Sequence, residues 1–343
     1  MDESKITRMA LDKMTAFEHL ELVFSPGVNV FIGANGTGKT HILKLLYCAC
    51  DVTKTDQLFT EKLIRVFLPY NRNLGRLVNR KKGSFAAKIE IYRTGDKLAS
   101  GFSNHTKRPS PQDVNGNLSW NRQRMECAYI PAKDMLANAP GFRSLYAARD
   151  IHFEEIYADI IDRAYRPLLR GPMDQPRKKL LQLIERCVDG KVETKEQEFF
   201  LRNRQGNLEF TLLAEGLRKL ALLWLLIQNG SLLEGSFLFW DEPEANLNPK
   251  MMKTVVEILL ELQRLGVQVF LATHDYVLLK EFDLQSTQKD SVMYHALYRD
   301  QTCRAITLDS TEDYLSIHPN AIADTFQDLY DREVERSIRG VRR

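Results

Sequence analysis

Gly33-Ala34-Asn35-Gly36-Thr37-Gly38-Lys39-Thr40 decides how this chain of 343 residues is read. An apolar run, Val28 to Ile32, precedes the stretch; after it Ile42, Leu45, Leu46 and Ala49 recur on one helical face over Lys39 to Ala49. The spacing is GxxxxGK[ST] between a strand and a helix, the context in which such a loop cradles phosphate. Its glycines let backbone N–H groups curl round phosphate oxygens, and the helix N-terminus adds partial positive charge. Lys39 is then placed to reach the β- and γ-phosphates, and the Thr40 hydroxyl to ligate Mg²⁺. Gly33 to Thr40 and the adjoining His41 are the expected contacts to a nucleotide, ATP, with Mg²⁺ as its cation.

Two further stretches belong with this loop. Phe237-Leu238-Phe239-Trp240-Asp241-Glu242 is a hydrophobic strand ending in two carboxylates. There Asp241 is expected to hold Mg²⁺ and Glu242 to polarise the water that attacks the γ-phosphate. His274, in Leu271-Ala272-Thr273-His274-Asp275, closes the next predicted strand, where an imidazole can sense the γ-phosphate. Between and before these strands the pattern predicts helices from Gly216 to Asn229 and from Pro249 to Leu265. Strands apolar on both faces and alternating with helices predict a largely parallel sheet covered by helices.

Elsewhere the reading is coarser. Glu21 to Phe24 and Val28 to Ile32 read as two short strands joined by Ser25-Pro26-Gly27. Alternation from Ala87 to Tyr92 marks a strand, and the stretch from Ser103 to Asn117 is a loop rich in Pro, Asn, Ser and Gly. Ser144 to Cys187 reads as helical with breaks at Pro167 and Gly171-Pro172. A hairpin is expected from Glu198 to Arg202 and Leu208 to Leu212, turning through residues 203–207.

The composition, 44% apolar and 27% charged, excludes a disordered or low-complexity chain. The longest apolar run, Leu220 to Ile227, is far short of the ~18–20 residues of a membrane span, and Met1 to Lys5 carries no secretory h-region. A cytoplasmic protein without a membrane partner is therefore expected. Cys48, Cys50, Cys127, Cys187 and Cys303 form no CxxC pair, so reduced thiols fit better than zinc or disulfides, with Cys48 and Cys50 as core residues.

Taken together, Gly33 to Thr40, Leu213-Ala214-Glu215-Gly216-Leu217-Arg218-Lys219, Asp241-Glu242-Pro243-Glu244-Ala245-Asn246-Leu247-Asn248-Pro249 and Thr273-His274-Asp275 resemble an ABC-type ATPase. More narrowly they resemble the bacterial ATPases related to the overcoming-lysogenisation-defect (OLD) proteins, called AAA15- or AAA21-type, whose more distant relatives are RecF and the heads of structural-maintenance-of-chromosomes (SMC) proteins. Residues 129–136 look like that subgroup too. The resemblance implies an α/β fold: an ABC-type P-loop core with a mixed sheet and flanking helices, a helical lobe and a basic β-containing insertion. It divides the single domain 1–343 into a nucleotide-binding core at 1–50 and 208–300, the insertion at 51–126, the lobe at 140–190 and a C-terminal segment at 301–343.

The same resemblance implies two chains closing face to face around ATP. Each ATP would lie between one chain's phosphate loop and the other's signature segment. Ala214, Glu215, Gly216 and Arg218 would then reach the partner's nucleotide, Gly216 through its N–H, with Asn246 in the loop joining the two sites and Glu242 as base. Two departures stand out. Ala214 replaces the usual signature serine, and no glutamine occupies the Q-loop position near Ile130, leaving Lys133, Asp134 or nothing in its place. OLD proteins also carry a Toprim nuclease, for which the 69 residues after His274 are too few. The expectation is therefore an ATPase gating a separate effector, a nuclease or a toxin, in a bacterial defence or DNA-transaction system. Alternatives are a DNA-repair ATPase that binds DNA directly and, less favoured, a transporter subunit.

Charge supplies the DNA alternative. Residues 51–126 carry 15 Lys/Arg against 7 Asp/Glu, although the whole chain is only +3. Within 71–82, Arg72, Arg76 and Arg80 would share one face of a helix and, with Lys81 and Lys82, track phosphates. Trp120 among Arg122 and Arg124 could stack on a base. The arginines at 336, 339, 342 and 343 read as a solvated helix end.

Overall fold

The computed structural model describes residues 5–149, 151–300 and 305–340. Its centre is a sheet of six strands in the order Ile306–Thr311, Val292–Arg299, Val28–Gly33, Gln268–Thr273, Phe237–Asp241 and Cys127–Ile130. All neighbours run parallel except the edge strand Ile306–Thr311. The strand alternation sorts the core into two layers. Val28, Val30, Ile32, Leu238, Trp240, Val269 and Leu271 face one apolar cluster; Phe31, Phe237, Phe239, Phe270 and Ala272 face the other. Both faces being dry explains why these strands read as continuous apolar runs.

On one face the helices Glu215–Gln228 and Met252–Arg264 cover the sheet, and Gln175–Val188 packs on those two helices. The other face is covered by the phosphate-loop helix Lys39–Asp51 and a second sheet of five antiparallel strands. Its order is Phe17–Val23, Ile6–Met14, Ala86–Arg93, Asp96–Ser103 and Val114–Asn115. Strands from 51–126 thus pair directly with the N-terminal strand, Ile89 lying opposite Leu11. The expected strand at 21–24 is the end of Phe17–Val23, so Ser25-Pro26-Gly27 carries the chain from one sheet to the other. Sequence reading missed Ile6–Met14 because a register shift between Ile6 and Arg8 breaks its alternation.

The helical stretch consists of Ala139–Ala148, Glu155–Ala164 and Gln175–Val188. An ion-pair cluster joins the lobe to the core: Lys62 reaches Asp51 (2.7 Å) and Asp159 (2.6 Å), Arg163 pairs with Asp51, and Lys44 pairs with Glu154 (2.5 Å). The expected hairpin pairs Glu198–Asn203 with Gly206–Glu209, so its second strand begins earlier than expected and Phe210–Leu212 is a 3₁₀ turn instead of strand; Lys191–Lys195 adds a third strand. Cys48, Cys50 and Cys127 are buried and free; Cys303 lies outside the described residues. Arg336 is exposed on the helix Ala321–Gly340, whereas Arg342, Arg343, the Arg339 side chain and Met1 to Ser4 fall outside the described residues. Among the described residues no helix is long and apolar enough to cross a membrane.

Candidate nucleotide site

Strand register builds the site. Phe31 pairs with Ala272, and Ala272 with Asp241, so the loop from Gly33, the pair Asp241-Glu242 and the pair Thr273-His274 emerge at the same end of the sheet. Crevices at the carboxyl ends of parallel strands are where such folds place ligands. Gly33 and Gly38 both need positive φ, 143° and 93°, and a Cβ at Gly38 would lie 2.4 Å from the Phe17 ring. Glycine is therefore demanded twice over at Gly38. Gly38 opens the helix Lys39–Asp51, whose first N–H groups face the loop. Lys39 is nearly buried and donates to the carbonyls of Gly33 (2.6 Å) and Ala34 (3.2 Å). Burial lowers its pKa, while Asp241, Glu242 and Glu244 oppose the shift.

The Thr40 hydroxyl donates to Asp241 Oδ1 at 3.2 Å, and the Tyr129 hydroxyl donates to Oδ2 at 3.3 Å. Burial raises the Asp241 pKa, so this carboxylate gains from any cation beside it. Thr40 and Asp241 are two converging hard oxygens, the donor type Mg²⁺ takes when phosphates and water complete its shell. Among the described residues no cluster of three His, Cys, Asp or Glu could hold a metal by itself. The residues fit a nucleotide-borne Mg²⁺ better than a resident metal.

Glu242 adopts φ 51°, and its carboxylate is 36% exposed, 3.6 Å from His274 Nδ1. A second carboxylate, absent from the expected set, stands on the other side: Glu244 Oε1 lies 3.5 Å from the same nitrogen. It also accepts hydrogen bonds from the Thr273 hydroxyl (2.8 Å) and the His274 N–H (3.0 Å). The run Asp241-Glu242-Pro243-Glu244 holds this signal, but only the sheet register reveals that Glu244 reaches the next strand.

The signature segment is arranged differently. Ala214 is exposed at the start of Glu215–Gln228, and Asn246, at φ 64°, is also exposed. Gly216, by contrast, is buried; a Cβ there would lie 2.4 Å from the Asn246 carbonyl. Lys219 is buried beneath and donates to the Ala245 carbonyl (3.2 Å). Arg218 is held inside the chain, by Asp134 at 2.6 Å and by the carbonyls of Phe210 and Leu213. Glu215 accepts from the Asp134 N–H at 2.9 Å. Asp134 is thereby bound to the helix Glu215–Gln228, while Lys133 is exposed.

Beside the phosphate loop lies a cavity of about 560 Å³, lined by Thr15, His41, Phe67, Tyr70, Arg76 and Arg80 among others. Thr15 Oγ1 and His41 Nδ1 are buried there without partners. Burial, with Lys44 adding, lowers the His41 pKa to about 4, so its imidazole is neutral at pH 7. Here the expected helical face is corrected. Residues 70–72 and 74–77 are short 3₁₀ turns, with positive φ at Asn71 and Arg72, and Leu74, Gly75 and Leu77 turn inward. Arg72, Arg76 and Arg80 therefore share no helix face. Arg76 packs over the Tyr70 ring (5.6 Å), Lys81 pairs with Glu18 (2.5 Å), and Lys82 is exposed. Trp120 is fully buried, donating to the Ala49 carbonyl (2.7 Å) under the Arg93 guanidinium, and cannot stack on a base.

Comparison with known proteins bears on the fold and on the sequence that carries this site. Residues 116–280 match the family described as "AAA domain, putative AbiEii toxin, Type IV TA system". Over 114 residues the chain is 27% identical to the DNA replication and repair protein RecF of Streptococcus pneumoniae (strain CGSP14), covering 33% of this chain and 30% of that protein. The chain thus matches less than a third of the length of that curated relative. Its fold is that of an SMC head: a head bound to the C-winged helix domain of ScpA aligns with a TM-score of 0.54 at 13% identity, covering 89% of this chain and 97% of that one. Nearly half of the chain thus matches an AAA-domain family and a third of it is similar to RecF, while the likeness to the SMC head is one of fold.

Proposed function

We propose that this ATPase binds ATP with Mg²⁺ at residues 33–41, closes as a two-chain sandwich around the nucleotide, and uses that closure to gate a separate effector protein. One observation carries the nucleotide chemistry: Lys39, Thr40, Asp241, Glu242 and His274 converge at one end of the central sheet. In this reading the loop N–H groups and Lys39 bind the β- and γ-phosphates. Thr40 and Asp241 hold Mg²⁺, which neutralises phosphate charge when bound. Glu242 orients and deprotonates the attacking water, and His274 faces the γ-phosphate. The cavity beside His41 takes the nucleoside half, its rings offering stacking and the Thr15 hydroxyl a polar contact.

Closure is supported by the exposed Ala214 and Asn246, which leave backbone and small polar groups available to a second chain. Effector gating is supported by the toxin-family description of the matched residues and by the SMC head of similar fold, which is bound to a domain of ScpA. The test uses Glu242→Gln protein, which should bind ATP–Mg²⁺, lose turnover and double its mass in light scattering. Affinity purification of that variant from its native cells with ATP present should yield a stoichiometric nuclease or toxin. Turnover at the wild-type rate would remove Glu242 as base.

A second reading is direct DNA binding, favoured by the RecF match, by Arg76 and Arg80 at the cavity beside His41 and by the exposed Arg72 and Lys82 of the same stretch. Nucleic acid without a partner protein in the same eluate would move the assignment there.

A further inference from the structure

Glu244 is conspicuous because nothing in the hydrolysis chemistry above uses it. Its side chain is only 9% exposed, against 36% for Glu242 and 52% for His274. A buried carboxylate is costly unless its oxygens are hydrogen-bonded. Yet only Oε1 is satisfied: it takes the Thr273 hydroxyl, the His274 N–H and the approach of His274 Nδ1, while Oε2 is buried without a partner. An apolar side chain would fill the place more cheaply, so what sets Glu244 apart is the acceptor oxygen it brings to this place.

That oxygen gathers a turn. Thr273 Oγ1, donating to Glu244, also accepts from the Asp275 N–H (3.0 Å), and Asp275 caps the helix Tyr276–Gln285 through the Leu278 N–H (2.6 Å). Glu244 is therefore the point where the loop after Asp241 is tied to the strand end that carries His274. Because Nδ1 is turned towards Glu242 and Glu244, Nε2 is the ring atom left for a phosphate oxygen.

We propose that Glu244 is a positioning residue for ATP hydrolysis: it fixes the backbone and ring of His274, while Glu242 alone acts on the water. This rests on the nucleotide site as assigned above. Three variants of the chain test it, with steady-state turnover and ATP affinity as readouts. Glu244→Gln keeps a carbonyl oxygen where Oε1 accepts its hydrogen bonds and should stay within about threefold of wild-type kcat. Glu244→Ala loses the anchor and should lose at least tenfold in kcat with KM changed less than twofold. In a His274→Ala background, Glu244→Ala should add less than a further twofold, because both changes remove the same function. Multiplicative losses in the double variant would overturn the proposal, as would wild-type kcat in Glu244→Ala. A folded Glu244→Gln with tenfold lower kcat would also overturn it, by showing that charge rather than the acceptor oxygen is needed. Lys39→Ala and Glu242→Gln serve as separate controls. Full turnover in either would indict the nucleotide site itself, independently of Glu244.

Discussion

The phosphate loop and the signature segment are both marked in the sequence as nucleotide contacts, yet the fold treats them in opposite ways. Around Lys39, glycines, helix N-terminus, hydroxyl and carboxylates converge on one place at the end of the sheet. In the signature segment the charged side chains are consumed within the chain: Arg218 by Asp134, Lys219 by the Ala245 carbonyl, Glu215 by the Asp134 N–H. Gly216 is small because its own chain's Asn246 carbonyl presses against it. The difference teaches that the phosphate-loop groups come together within a single chain, while the signature segment leaves mainly backbone and the exposed Ala214 and Asn246 at its surface. In the two-chain closure proposed above, such a surface gains force only by being rigid, since a loose one would lose its contacts to ordering entropy.

Four experiments sharpen or break this contrast. Lys39→Ala should have the largest effect, removing ATP binding from the calorimetric range and lowering hydrolysis by roughly 100-fold or more, as loss of a charged phosphate contact does. Retained binding would mean that the loop's N–H groups suffice. Arg218→Ala should act on stability instead: leaving Asp134 buried and unpaired costs on the order of 3 kcal/mol. Denaturant unfolding would read that loss, and ATP affinity of the single chain should not move. A variant of unchanged stability and weakened nucleotide binding would place Arg218 at the nucleotide after all.

Acid should act behind the phosphate loop. His295 is fully buried, stacked on Phe31 of the loop's strand (4.9 Å), and burial lowers its pKa to about 3. Since the folded value lies below the ordinary one near 6.5, the stability tied to neutral His295 is present above pH 6.5. It is lost as the pH falls towards 3, because the unfolded chain takes the proton first. Between pH 7 and 4.5 this amounts to roughly 2–3 kcal/mol. Melting curves should show His295→Gln less stable at pH 7 but with a shallower acid slope; parallel slopes would remove His295 from the effect. The smallest effect is expected at the rim. Neutralising Arg76, Arg80 and Lys82 should leave ATP hydrolysis within a few-fold, and on the DNA reading it reduces the salt dependence of DNA affinity by up to about three counterions. An unchanged salt slope would leave the basic segment without a role in DNA binding.

The contrast also explains where sequence reading succeeded. The glycine loop, the acidic strand end and the strand ending in His274 were legible, because each is a local pattern whose chemistry depends on neighbours in the chain. The basic stretch 71–82 misled because its spacing suits a helix while Leu74, Leu77 and Val78 are drawn into the core. Trp120 misled similarly: flanking cations suggested a surface platform, whereas Ala49 and Arg93, far away in sequence, hold it inside. Glu244 was written in the motif, but without the pairing of Asp241 with Ala272 no reader could set it against His274.

By itself, the sequence determined a glycine-rich strand–loop–helix, a parallel core and the placing of Lys39, Thr40, Asp241, Glu242 and His274 at the ends of its strands. These follow from short-range requirements: glycine where φ is positive, apolar residues where both sheet faces are covered, carboxylates where a strand ends. The tertiary structure alone decided which groups meet. Strand register, not spacing, set His274 between two carboxylates; packing between distant segments turned Arg218 inward and Trp120 down. Such pairings depend on which strands become neighbours, and that choice is settled by the burial of the whole core rather than by any stretch within it.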